Sequence, residues 1–241
     1  MTKAHCRFPT NNGPCARPVE VDGERCVEHR ELDAVTAAAE VAQELRQRAR
    51  AQRRRHQPGQ AGRDDADPDV PISDAQIAAV AECLNRHGVD YVLVGGAASQ
   101  LHGANTPRTR DADIVPSKQA DNLDRLAMAL NEMEARLWVG PEQPEGLAMT
   151  FDRGTLGQIQ GFLNLVTKHG PVDITYRPDG TDGFPDLARA TVTVHLLGVD
   201  VPVAALEDVI RSKEAAGRAK DLAVLPRLIQ HLRDRERPAP D

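Results

Sequence analysis

Residues 92–115, VLVGGAASQLHGANTPRTRDADIV, decide how the chain is read. The stretch opens as an apolar strand, stops at Gly95-Gly96, passes through a short helical run over 97–102, turns at Thr106-Pro107 and ends in a second strand over 111–115. Two residues without side chains after a strand let the backbone approach a ligand at a helix N-terminus, where free N–H groups favour phosphate. Ser99 adds a hydroxyl donor there, although a Gly-Gly pair also serves a plain tight turn. Asp111 and Asp113 are one residue apart, so both carboxylates project from one face of the strand. They repel unless something positive sits between them, and oxygen donors of this kind suit Mg²⁺ held together with substrate phosphates. Taken alone, the pair is equally a solvated polar strand end.

A third acid shifts that balance. Residues 162–166 and 172–176 are spaced as a hairpin across the Lys168-His169-Gly170-Pro171 turn. Asp173 stands between apolar Val172 and Ile174, on a strand that fits beside the first. Three carboxylates on adjacent strands next to a Gly-Gly turn suit two Mg²⁺ ions, one on a triphosphate and one activating an attacking hydroxyl. Around this centre, Ser73 caps a helix with apolar positions Ile77, Val80, Ala81 and Leu84, and Gly88 stops it before a buried strand over 89–94. Ser117 caps a helix over 118–134 that carries Leu123, Leu126, Ala127 and Leu130 on one face. Residues 192–196 and 199–203 form another strand pair, with Pro202 arguing for an edge position. Helices over 206–216 and 219–233 close the chain. A βαβ start followed by antiparallel strands and then helices implies a mixed α/β (α+β) sheet flanked by helices.

This combination, Gly95-Gly96, then Asp111-Ala112-Asp113, then Asp173, resembles the nucleotidyltransferase fold of the DNA polymerase beta superfamily. Arg108-Thr109-Arg110 looks like the basic, Thr-containing lead-in of many bacterial members. Residues 206–225 (LEDVIRSKEAAGRAKDLAVL) are similar to the segment that follows the core in AbiEii-like, toxin-type bacterial nucleotidyltransferases. The resemblance spans about residues 74–233. It implies that Asp111, Asp113 and Asp173 hold Mg²⁺, with Gly95, Gly96, Ser99 and Thr109 at the nucleotide. It also implies that Lys213 contacts the triphosphate or the reacting group, that Arg218 and Lys220 neutralise phosphate charge, and that Asp221 orients one of them. Lys213 and Lys220 otherwise read as solvated helix residues and Asp221 as a helix-start acid. Two departures stand out: a 14-residue stretch between Gly96 and Asp111, and Ala112 where a larger aliphatic residue is usual.

The N-terminal 71 residues differ in kind. Cys6, Cys15, Cys26 and His29 lie in a segment, residues 1–30, too poor in apolar residues to fold on hydrophobicity alone. A Cys₃His set ending in Cys-x-x-His suits a closed structural Zn²⁺ site, and the segment resembles small zinc-binding modules. His5 is an alternative ligand, and a tail with free thiols is the other reading. Residues 31–57 read as one Arg-rich helix, and 58–71 as an acidic linker after Pro58-Gly59. From Arg46 to Arg55 (RQRARAQRRR) there are six Arg and no acid, which reads either as a footprint for nucleic-acid phosphate or as a solvated helix end. Cys83 reads as a buried thiol in the domain spanning 72–241.

Composition sets the outer limits. With 241 residues, 40 % of them hydrophobic, and a net charge of −6, the chain reads as a globular protein with one sizeable core. One Trp, two Tyr and four Phe disfavour a reader of nucleic acid through stacked aromatics. No apolar run approaches the roughly 20 residues of a bilayer span, and the N-terminus has no signal-type apolar core, so a cytoplasmic protein is expected. Residues 72–241 carry 18 basic and 24 acidic side chains, and so hold the whole negative excess. The leading expectation is an NTP-using enzyme acting on RNA, tRNA or protein, in the manner of a toxin with a cognate antitoxin. The competing readings are transfer to a small, antibiotic-type acceptor and a non-catalytic nucleic-acid-binding protein on the same fold.

Overall fold

The computed structural model describes residues 70–159 and 161–237, together with the backbone of four two-residue strands nearer the N-terminus. The chain divides into two compact units, residues 1–61 and 62–241. In the first, β1 (Ala4–His5), β2 (Pro9–Thr10), β3 (Gly13–Pro14) and β4 (Pro18–Val19) make two antiparallel pairs, β1 with β4 and β2 with β3. Cys6, Cys15, Cys26, His29, the Arg46 to Arg55 tract and the expected helix over 31–57 lie outside the described residues.

The second unit begins with α1 (Asp74–Arg86), whose start is set by a capping box. Ser73 Oγ accepts from the Gln76 amide at 3.2 Å while Gln76 Oε1 accepts from the Ser73 amide at 3.0 Å. Ile77, Ala78, Val80, Ala81, Cys83 and Leu84 form its buried face. Gly88, at φ +66°, turns the chain into β5 (Tyr91–Val94). There follow α2 (Gly95–Leu101), β6 (Ala112–Pro116), α3 (Ala120–Glu132), β7 (Arg136–Leu137), β8 (Leu147–Ala148) and α4 (Arg153–Gln158). The hairpin β9 (Phe162–Thr167) and β10 (Gly170–Thr175) comes next, then α5 (Phe184–Leu187), β11 (Val192–Leu196), β12 (Val199–Val203), α6 (Leu206–Ala216) and α7 (Ala219–Glu236). Eight of these strands form one mixed sheet in the order β11-β12-β5-β6-β10-β9-β7-β8. Its central strands are apolar on their covered positions: Leu93, Ile114, Val172, Ile174, Leu163 and Leu165 are all at most 2 % exposed. Each such burial contributes about 1.5–3 kcal/mol.

Three expectations need correction. The start is not a βαβ unit, because β5 and β6 run antiparallel. The helix between them has seven residues and sits at the C-terminal end of β5, so the chain re-enters the sheet from the same end. Pro202 does not lie on an edge: β12 stands between β11 and β5. It is tolerated there because β12 meets β5 only at Val203 opposite Leu93, which leaves the missing N–H of Pro202 outside that ladder. Ser117 does not cap α3, which starts at Ala120 with Gln119 at the N-cap. Buried Asn122 ties that end instead, accepting from the Asp90 amide at 2.7 Å and donating to the carbonyls of Asp90 and Ser117.

Candidate functional site

The sheet brings two of the expected carboxylates side by side. Strands β6 and β10 are parallel neighbours with Asp113 directly opposite Asp173, so both side chains stand on the same face. On its other side Asp113 pairs with Val94, the last residue before the glycines. Asp111 lies one residue ahead of β6, where its Oδ1 accepts a hydrogen bond from Thr109 Oγ1 at 2.7 Å. Asp173 accepts from Asn164 Nδ2, its register partner on β9. All three aspartates keep part of their surface open to solvent.

The need for two glycines follows from close approach. A Cβ on Gly95, which has φ +67°, would lie 2.1 Å from Asp113 Oδ2, and one on Gly96 would lie 2.6 Å from Thr109 Cβ. Gly95 therefore seats the carboxylate strand, and Gly96 admits the Thr109 side chain ahead of it. Ser99 departs from expectation: it is 1 % exposed, and its hydroxyl donates to the Gly95 carbonyl at 3.1 Å. It braces the first turn of α2 rather than presenting a donor to a ligand. Thr109 likewise directs its hydroxyl at Asp111.

The closing helices supply the positive charge. Asp221, 2 % exposed in the first turn of α7, accepts from Lys213 Nζ at 3.2 Å and from Arg218 Nε. Gly217, at φ +57°, ends α6 and allows the reversal that brings Lys213 and Asp221 together. Burial works against the Asp221 charge, yet the Arg218 hydrogen bond and the Lys213 ammonium hold its carboxyl below the ordinary range. Asp113 is pushed the other way. Burial raises its carboxyl well above the ordinary range, and the charges of Asp111 and then Asp173 raise it further, with Lys220 and Lys213 only partly offsetting them. The same balance shows that Lys213 and exposed Lys220 lie within electrostatic reach of the carboxylates.

The arrangement thus unites Asp111, Asp113, Asp173, Gly95, Gly96 and Thr109 on one sheet end, with the basic helix ends facing it. Asn164 is the site residue that sequence reasoning missed. Its only trace in the sequence is a polar residue between Leu163 and Leu165, and its link to Asp173 depends on hairpin register.

Neither a family model nor a curated protein sequence matches the chain. Among solved structures it is similar to the lincomycin-bound lincosamide antibiotic adenylyltransferase LnuA, with 14 % identity and a TM-score of 0.47, over 67 % of this chain and 99 % of that one. It is also similar to an antigenic nucleotidyltransferase-like protein from Paracoccidioides brasiliensis, with 18 % identity and a TM-score of 0.44, over 68 % of this chain and 78 % of that one. A third is the antibiotic-resistance factor ANT(2'')-Ia, with 11 % identity and a TM-score of 0.43, over 66 % and 83 %. Among the described residues no helix is long and apolar enough to cross a membrane.

Proposed function

We propose that the chain is a metal-dependent nucleotidyltransferase that moves a nucleoside monophosphate from an NTP to an acceptor. The observation that carries this reading is the in-register pair Asp113 and Asp173, with Asp113 pressed against Gly95 and within electrostatic reach of Lys213 and Lys220. Like charges held against each other, with hard oxygen donors only, fit Mg²⁺ better than a softer metal. Asp111, Asp113 and Asp173 would hold it. Bound there, Mg²⁺ supplies charge neutralisation for a triphosphate and for an attacking hydroxyl.

The chain's own residues account for the remainder. Asn164 orients Asp173, Thr109 orients Asp111, and Asp221 holds Lys213 in place, within electrostatic reach of Asp113. Lys213, Arg218 and Lys220 meet the phosphate charge that builds as the bond from acceptor oxygen to α-phosphorus forms and diphosphate leaves. Transfer of label from α-labelled NTP in the presence of Mg²⁺ tests the reading. Wild-type protein should label an acceptor, and Asp111→Ala or Asp113→Ala should not; equal transfer by all three proteins would remove the catalytic role of the carboxylates.

For the acceptor we propose RNA, tRNA among its forms, or a protein, with a toxin role held in check by an antitoxin. The Arg tract from Arg46 to Arg55 supports RNA, and Cys6, Cys15, Cys26 and His29 would hold Zn²⁺ in the segment before it. Mass spectrometry of RNA and protein after induced expression should find a nucleotidyl adduct of one kind. The negative excess of residues 72–241 favours a second reading, transfer to a small cationic acceptor of the antibiotic type. Adducts on such a compound alone, with none on RNA or protein, would select it.

A further inference from the structure

A second cluster of metal-binding groups lies at the other end of the sheet. Cys83 and His87 are four residues apart at the C-terminal end of α1, so they share one side of the helix. Glu132 closes α3, which packs beside it. The Cys83 thiol, a ring nitrogen of His87 and a carboxylate oxygen of Glu132 all lie within 4.8 Å of one another. Cys83 is 1 % exposed, whereas the His87 and Glu132 side chains are 21 % and 39 % exposed. His87 Nε2 lies 2.6 Å from Glu132 Oε2, and the other Glu132 oxygen accepts from Arg86. The Cys83 thiol donates to the Ala129 carbonyl at 3.7 Å, and that carbonyl already accepts the Met133 amide. This end of the sheet is where Tyr91 pairs with Pro116, away from Asp113.

We infer that Cys83, His87 and Glu132 form a binding site for a borderline-soft divalent metal ion of the Zn²⁺ type, distinct from the carboxylate centre. One sulfur, one imidazole nitrogen and one carboxylate oxygen make a donor set that Zn²⁺ prefers and Mg²⁺ does not. Tetrahedral Zn²⁺ with bonds of about 2.0–2.3 Å places its ligands roughly 3.3–3.8 Å apart. Reaching that spacing needs the His87–Glu132 pair to open by less than about 1.5 Å and the cysteine corner, within 4.8 Å of both, to close by no more than about 1.5 Å. The two partly exposed side chains have the freedom to make that change, while Cys83 stays anchored in the core. Two helices end here, and their C-terminal carbonyls favour a cation. With the thiol proton released to solvent, the thiolate and the Glu132 carboxylate balance the charge of the ion. Arg86 keeps its hold on the second Glu132 oxygen. Arg86, Lys168 and Glu82 are the other charged groups near the thiol. The ion would pin the end of α1 to the end of α3, just ahead of the turn into β5, and add a fourth, open coordination position facing solvent.

Titration of the full-length Cys6→Ser/Cys15→Ser/Cys26→Ser protein with Co²⁺ tests the site, because Cys83 is then the only thiol in the chain. A sulfur-to-cobalt charge-transfer absorption that saturates at one equivalent, is displaced by Zn²⁺, and falls at least tenfold in amplitude at the same Co²⁺ concentration in the added His87→Gln and Glu132→Gln variants would establish it. These two substitutions fall on partly exposed side chains, so they separate loss of a ligand from loss of the fold. Zn²⁺ should also raise the melting temperature of the triple-Ser protein, with the rise lost in His87→Gln. No charge-transfer band, or a band undiminished by His87→Gln, would overturn the assignment. The readout requires sulfur, so Co²⁺ held by the aspartates alone leaves it unchanged, and failure here does not touch the nucleotidyltransferase reading.

Discussion

Two aspartates in this molecule sit in opposite electrostatic circumstances. Asp113 is pressed against Gly95 and faces Asp111 and Asp173, and its carboxyl is driven upward. Asp221 is more deeply enclosed, yet Lys213 and Arg218 hold its carboxyl down. Burial opposes the charge of both. The difference lies in the neighbours: Asp221 has Lys213 and Arg218 against it, whereas Asp113 has two further carboxylates that the lysines only partly offset. A cluster of like charges costs stability unless a positive group offsets it, and variants at these positions read that cost.

The largest effect expected from this contrast is on activity. Asp113→Asn should lower nucleotidyl transfer by about 10³-fold or more, measured by single-turnover transfer from α-labelled NTP, with the fold intact by circular dichroism. A loss below tenfold would break the comparison at its functional end. Next is Asp221→Ala, which leaves Lys213, only 14 % exposed, without its carboxylate. It should destabilise by about 3 kcal/mol, read as a shift in denaturation midpoint, while Arg218, half in solvent, contributes little of that loss. A third variant, Gly95→Ala, drives a methyl into Asp113 Oδ2 at a positive φ. It should cost about 2 kcal/mol and reduce transfer as well, whereas Gly198→Ala, at a positive φ with open space around it, should cost stability and leave transfer unchanged.

The smallest effect sharpens the contrast most. Without metal, Asp113→Asn should stabilise the protein by about 1 kcal/mol, a rise in melting temperature of about 2–4 °C. The sign follows from linkage. A carboxyl raised in the folded state contributes stability below its unfolded value of 3.8 and loses it as pH climbs through the folded value. The advantage of Asp113→Asn should therefore be absent below pH 3.8 and grow as pH rises towards the raised folded value. Asp221 titrates in the other direction: its contribution is present above the unfolded value and lost as pH falls through the lowered one. Thermal melts of wild type, Asp113→Asn and Asp221→Asn across acid and neutral pH should show opposite trends, and added Mg²⁺ should raise wild type more than Asp113→Asn.

Legibility from sequence followed the range of the interaction. The pair β11 and β12 and the helix α6 match their expected bounds residue for residue, because alternation and helical spacing are properties of neighbours in the chain. The antiparallel sense of β5 and β6, the position of Pro202 inside the sheet, the replacement of the Ser117 cap by Asn122 and the short elements β7, β8, α4 and α5 were not legible. Each depends on which segment packs alongside. The same holds within the site. Asp111, Asp113, Asp173 and the two glycines stand out by residue type and order, but Ser99 turns inward to its own helix, and Asn164 joins only through hairpin register.

By itself, then, the amino-acid sequence determined which groups are available: three carboxylates in or directly ahead of strand-forming stretches, two glycines that admit close approach, and a cationic helical segment after a strand pair. Only the tertiary structure decided which of them meet. Asp113 faces Asp173 because β6 and β10 pair in parallel with that register, and a shift of one residue would send one carboxylate to the opposite face. Lys213 is fixed by Asp221, eight residues on and across the turn at Gly217, at a point where its charge reaches Asp113. Charge and periodicity are written locally, but the energy of a charge depends on distance to every other charge, and those distances exist only once the chain has folded.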